Sequence, residues 1–103
     1  NIKILDDPLK AVTDADCVMT DKWVSMNDKV NKSKKKKDLK KFQVNKKLMQ
    51  AAKSNAVFMH CLPVGRGEEV TDEVIDGKQS VVWQQALNRL HIQKSIILWC
   101  LNS

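Results

Sequence analysis

The residues of this sequence that could do chemistry stand at a few points. His60 and Cys61 directly follow the apolar run Ala56–Met59, and Leu62 and Pro63 come next. Asp21 follows another short run, Cys17-Val18-Met19-Thr20. Arg66 and Arg89 are the only arginines beside sixteen lysines. A carboxylate such as Asp21 can hold a substrate ammonium group by a charge-assisted hydrogen bond, or it can simply cap a loop. Cys61 is a nucleophile only if a base reaches it, and its neighbour His60 is badly placed, because successive strand residues face opposite sides. The only other histidine is His91. A cysteine hydrolase is therefore disfavoured, and a buried, inert thiol is the plain alternative. Each arginine offers a planar fork for carboxylate, phosphate or carbonyl oxygen. Arg66, between two glycines, could cover a site or pair with Glu68 and Glu69. Ser25 and Met26 read by themselves as loop residues, and Trp23 as packing. No GxGxxG, P-loop, HExxH or GxSxG motif is present.

The elements that must carry these residues alternate. Ile2–Leu5 is a candidate strand. Asp6-Asp7-Pro8 opens a short helix over Pro8–Ala15. Cys17–Thr20 reads as a second strand, and Val44–Lys53 as a helix that Asn45 caps. Ala56–Met59 is a third strand. Thr71–Gly77 is a short helix with Thr71 as cap and Gly77 as stop. Ser80–Trp83 reads as a fourth strand, and Asn88–Leu101 as a helix with Leu90, Ile97 and Leu101 on one stripe. Short apolar strands alternating with helices predict an α/β fold: a parallel sheet of about four strands with flanking helices, part of a Rossmann-like three-layer domain. Residues 1–87 would form the sheet portion and 88–103 the terminal helix. In such sheets ligands bind beyond the C-terminal strand ends, where Asp21–Met26, His60–Gly67 and Gln84–Arg89 cluster.

Composition narrows the class. The chain has 103 residues, 43% of them hydrophobic and 29% charged, enough for one small domain or part of a larger one. Its first residue is Asn rather than Met, as in a chain cut from something longer. Three widely spaced cysteines without a CxxC pair suggest neither zinc nor a disulfide framework, and point to a reducing, cytoplasmic setting. The longest apolar run, Ile96–Leu101, is far too short for a membrane span. The net charge of +6 is concentrated between Lys29 and Lys47. That segment has one aromatic residue and no arginine, poor equipment for nucleic acid, so a solvated lysine-rich face is expected.

Three stretches carry a resemblance. FMHCLPVGRGEEVTDEVIDG (58–77), DADCVMTDKWVSM (14–26) and FQVNKKLM (42–49), together with the tail NRLHIQKSIILWCL, resemble the C-terminal, ornithine-binding part of ornithine carbamoyltransferases. Cys61 argues against the aspartate enzymes, which carry proline there. The resemblance implies transfer of a carbamoyl group from carbamoyl phosphate to the δ-amine of L-ornithine, giving L-citrulline and phosphate, the ornithine step of arginine biosynthesis. It assigns Asp21, Ser25, Met26 and Cys61 to ornithine, and Leu62 and Arg89 to the carbamoyl group of carbamoyl phosphate. Arg89 would stabilise negative charge on the carbamoyl oxygen, with Cys61 beside the reacting side chain. No cofactor and no metal is implied. The sequence departs from the family at Asn27 (Gly there), Gly65 (His) and Leu87 (Glu).

The partners this implies are the two small-molecule substrates and a carbamoyl-phosphate domain, whose Ser-Thr-Arg-Thr-Arg and His-Pro-x-Gln motifs are not among these residues. Little or no activity is expected of this chain alone. A homotrimer is expected for a full-length chain, and neither nucleic acid nor membrane is expected as a partner. Two alternatives stay open: a carbamoyltransferase for putrescine or a modified ornithine, and a non-catalytic binding module using the lysine run.

Overall fold

The computed structural model describes residues 1–24 and 31–102. Its elements are α1 (Pro8–Val12), β1 (Cys17–Thr20), α2 (Lys32–Leu39), a 3-10 turn (Lys40–Phe42), α3 (Lys46–Ala51), β2 (Val57–His60), α4 (Asp72–Ile75) and α5 (Val82–Asn102). The two strands are parallel, in the register Cys17↔Val57 to Thr20↔His60. This is the expected α/β architecture with a smaller sheet.

Two expected strands are corrected. Ile2–Leu5 lies outside any strand and is exposed, Ile2 at 95% and Ile4 at 92%. An apolar tetrapeptide becomes a strand only where a neighbouring edge takes its backbone hydrogen bonds, and none among the described residues does so. Ser80–Trp83 contributes a single parallel bridge, Ser80 to Phe58. Phe58 N–H donates to Gln79 O at 2.7 Å, and Val81 N–H donates to Phe58 O at 3.0 Å. The chain then coils at Val82, so the last helix starts six residues before Asn88, the expected start. A short apolar run fits a strand and a buried helix start equally well.

Two of the expected caps form and one does not. Asp7 accepts from Leu9 N–H at 3.0 Å and Lys10 N–H at 3.4 Å, with Pro8 at the first helical position. The helix ends at Val12, not Ala15. Asn45 accepts from Leu48 N–H at 3.0 Å. Thr71 makes no side-chain cap, and its buried hydroxyl has no hydrogen-bond partner among the described residues.

One core joins these pieces: Val18, Val44, Leu48, Met49, Phe58, Val70, Val74, Ile75 and Val82. Phe58 at the centre of β2 is fully buried, a contribution of about 2–3 kcal/mol from removing its ring from water. By contrast α2 buries no residue. It is the solvated lysine-rich face the composition suggested. The α5 stripe is open as well, with Leu90 49%, Ile97 59% and Leu101 77% exposed. Among the described residues no helix is long and apolar enough to cross a membrane.

Candidate active site

The register of the sheet builds the site. Thr20 and His60 are paired at the C-terminal ends of β1 and β2. Their successors, Asp21 and Cys61, therefore leave the sheet side by side. The Cys61 thiol donates to Asp21 Oδ1 at 3.0 Å, and Lys22 N–H donates to the same oxygen at 2.6 Å. The thiol hydrogen bond, with the Lys22 amide second, holds the Asp21 carboxyl below the usual carboxylate range. The same bond, then burial, raises the Cys61 thiol above its ordinary value. Cys61 is exposed, which corrects the expectation of a buried, inert thiol. It is kept protonated by a carboxylate rather than sealed away from solvent.

Arg89 reaches the same place from α5. Gln85 on that helix accepts the His60 backbone N–H at 3.0 Å, which ties the helix to the strand end. Arg89 follows four residues later, on the same helix face. A cleft of about 650 Å³ is lined by His60, Cys61, Leu62, Pro63, Gln85, Ala86 and Arg89. The Arg89 charge lies close enough to Cys61 to act on its thiol, opposing the rise.

The cleft floor has an unusual backbone. Leu62 sits in the left-handed region at φ 49°, and the Leu62–Pro63 peptide is cis. For a side chain such as leucine the left-handed conformation costs about 1–2 kcal/mol, so neighbours must hold it. The Leu62 N–H donates to His60 Nδ1 at 2.9 Å. His60 is itself buried, although it contributes to the wall of the same cleft.

Arg66 does not cover the cleft. It donates to Asp72 at 2.6 Å and to both oxygens of Asp76 at 2.6 and 2.9 Å. These hydrogen bonds raise its already high pKa and lower that of Asp76. The salt-bridge reading of Arg66 thus holds with different acids, while Glu68 pairs with Lys36. Of the six expected site residues, Asp21, Cys61, Leu62 and Arg89 converge. Ser25 and Met26 lie outside the described residues. The sequence offered Glu69 only as a partner for Arg66, whereas it lies against His60 and Gly65, and Gln85 carried no expected role of its own. Their only signal was position, just after strand-end segments.

Comparison with known proteins gives the family of the chain. The family described as aspartate/ornithine carbamoyltransferase, Asp/Orn binding domain, matches residues 1–100.

The chain belongs to the aspartate/ornithine carbamoyltransferase family.

It is 57% identical over 103 residues to an ornithine carbamoyltransferase of Nitrobacter winogradskyi, covering all of this chain and 33% of that protein. Among solved structures it is similar to the ornithine carbamoyltransferase of Pyrococcus furiosus, with TM-score 0.83 and 55% identity over 90% of this chain and 30% of that one. The anabolic ornithine carbamoyltransferase of Campylobacter jejuni superposes with TM-score 0.85 at 37% identity, over 93% of this chain and 32% of that one. The chain thus spans about a third of the length of the curated carbamoyltransferases it matches. The resemblance read from the His-Cys-Leu-Pro segment holds at the family level, and these neighbours share the α/β arrangement around the parallel pair.

Proposed function

We propose that this chain supplies the ornithine side of a carbamoyl-transfer site. The reaction is attack of the δ-amine nitrogen of L-ornithine on the carbamoyl carbon of carbamoyl phosphate. A C–N bond forms, the C–O bond to phosphate breaks, the nitrogen loses a proton, and L-citrulline and phosphate leave. The observation that carries the reading is the convergence of Asp21, Cys61 and Arg89 about one strand-end cleft.

In this reading Asp21 binds an ornithine ammonium group as an ionised carboxylate, consistent with its lowered pKa. Cys61 lies beside the ornithine side chain as a neutral thiol, and Ser25 and Met26 complete that subsite. The backbone at Leu62 holds the carbamoyl amide. Arg89 meets the negative charge that grows on the carbamoyl oxygen, an electrostatic contribution that needs no covalent enzyme intermediate. Phosphate binding falls to a carbamoyl-phosphate domain outside these 103 residues, and the full-length protein acts as a homotrimer in the cytoplasm.

The test is a calorimetric titration of the chain with L-ornithine and with putrescine. Ornithine should bind more tightly than putrescine, and Asp21→Asn should weaken ornithine about tenfold or more, as expected for losing a charge-assisted bond. Equal binding of the two amines, or an indifferent Asp21→Asn, would reject the assignment.

A further inference from the structure

Two fully buried ionisable side chains, His60 in the cleft wall and Glu69 beside it, are used by no step of the reaction as proposed. The His60 and Glu69 side chains are both 0% exposed. His60 Nε2 approaches Glu69 Oε1 at 3.3 Å, and neither Nε2 nor Glu69 Oε2 has a hydrogen-bond partner among the described residues. Glu69 Oε1 also accepts the Gly65 N–H. On the other side of the ring, Nδ1 accepts the Leu62 N–H.

This pattern determines where the ring proton sits. A nitrogen that accepts from an amide carries no proton, so Nδ1 is bare and the proton is on Nε2. Nε2 then has the Glu69 carboxylate 3.3 Å away, at ion-pair distance, as the acceptor among the described residues placed to offset its burial. The carboxylate is in turn seated against a glycine. A Cβ at Gly65 would lie 2.7 Å from Glu69 Oε2 and 3.2 Å from its Cδ.

We propose that Glu69 and His60 are positioning residues for the cleft. Glu69 holds the His60 ring in the Nε2–H tautomer, and the bare Nδ1 then holds the Leu62 amide, keeping the left-handed turn on which the carbamoyl group is received. The inference rests on the carbamoyl-transfer reading for what Leu62 receives. The tautomer and the Leu62 bond do not depend on it.

The experiment has two arms on the full chain. A long-range nitrogen–proton NMR correlation of the His60 ring at neutral pH should show a protonated Nε2 and a bare Nδ1. A proton on Nδ1 overturns the proposal. The second arm titrates L-citrulline, which carries the carbamoyl group, against L-ornithine, which lacks it. His60→Leu should weaken citrulline about tenfold and ornithine less than about threefold. His60→Asn, whose Oδ1 stands where Nδ1 was, should keep citrulline within about threefold. Equal losses for both ligands, or no rescue by asparagine, would reduce His60 to a core residue and reject the positioning role. Gly65→Ala repeats the test without altering a buried side chain, and it should weaken citrulline selectively by dislodging Glu69. If the wild-type chain binds neither ligand, the carbamoyl-transfer reading fails, while the ring spectrum still decides the positioning role.

Discussion

At the scale of single residues, hydrogen bonds to carboxylates set the chemistry of the site. Cys61 is exposed yet its thiol donates to Asp21, which stabilises the protonated form. Since the thiolate is the reactive species, Cys61 should alkylate several-fold more slowly than the exposed Cys17 and Cys100 at pH 8. Asp21→Asn should remove most of that protection, as read by mass mapping of iodoacetamide adducts. Acid sensitivity follows from the same groups. The pKa values of Asp21 and Asp76 lie below the ordinary 3.8 in the folded chain, Asp76 through Arg66 first. The unfolded chain therefore binds more protons in that range, and stability rises with pH there. Their contribution is fully present well above the ordinary 3.8 and is lost as pH falls through the lowered values. Urea midpoints should fall as pH drops below about 4. Arg66→Leu should flatten that fall, because Asp76 then titrates near its ordinary value.

At the scale of elements, stability rests on caps and one core rather than on helix propensity. Neither α1 nor α3 exceeds six residues, so both are too short to persist alone. Asn45 supplies an acceptor to Leu48 N–H at the start of α3. Asn45→Ala should cost about 1 kcal/mol in urea unfolding without changing the m-value. Phe58 connects β2 to the Gln79–Val81 segment through its backbone and fills the core with its ring. Phe58→Ala should cost about 3–5 kcal/mol, a large share of the about 5–15 kcal/mol typical of a folded domain, and leave much of the chain unfolded by circular dichroism. On α2, lysines four apart, such as Lys32 and Lys36, repel.

At the scale of the whole molecule, the asymmetry is between a closed core and an open α5. Along that helix Trp83, Leu87, Ile96, Leu98 and Leu101 are each about half exposed or more. Apolar area of this kind is unusual for a chain that is stable and monomeric in water. The chain should associate with rising concentration in sedimentation or light scattering, and Leu98→Lys with Leu101→Lys should restore a monomer of 11.7 kDa. The same scale governs activity. The residues here furnish a carboxylate, a thiol and a guanidinium but no phosphate-binding loop, so the purified chain should form no detectable citrulline from carbamoyl phosphate and ornithine.

Much of this was legible beforehand, for local reasons. Pro8 after Asp7, Asn45 before an apolar stripe and the apolar run before His60 each act over a few residues, so spacing alone reveals them. The same holds for the placement of Asp21 and Cys61 at strand ends, and the motif around Cys61 was specific enough to indicate the family. Other features depend on partners distant in the chain. Whether Ile2–Leu5 or Ser80–Trp83 becomes a strand is decided by which edge is there to pair with it. The fate of Arg66 was decided by Asp72 and Asp76 lying nearer than a site, and that of Cys61 by the β1–β2 register that delivers Asp21 to it. Burial of Glu69 against Gly65 and His60 is the clearest case. In sequence it is the second acid of a polar loop, where solvent would be its natural partner, and only folding encloses it with an imidazole and the amide of Gly65.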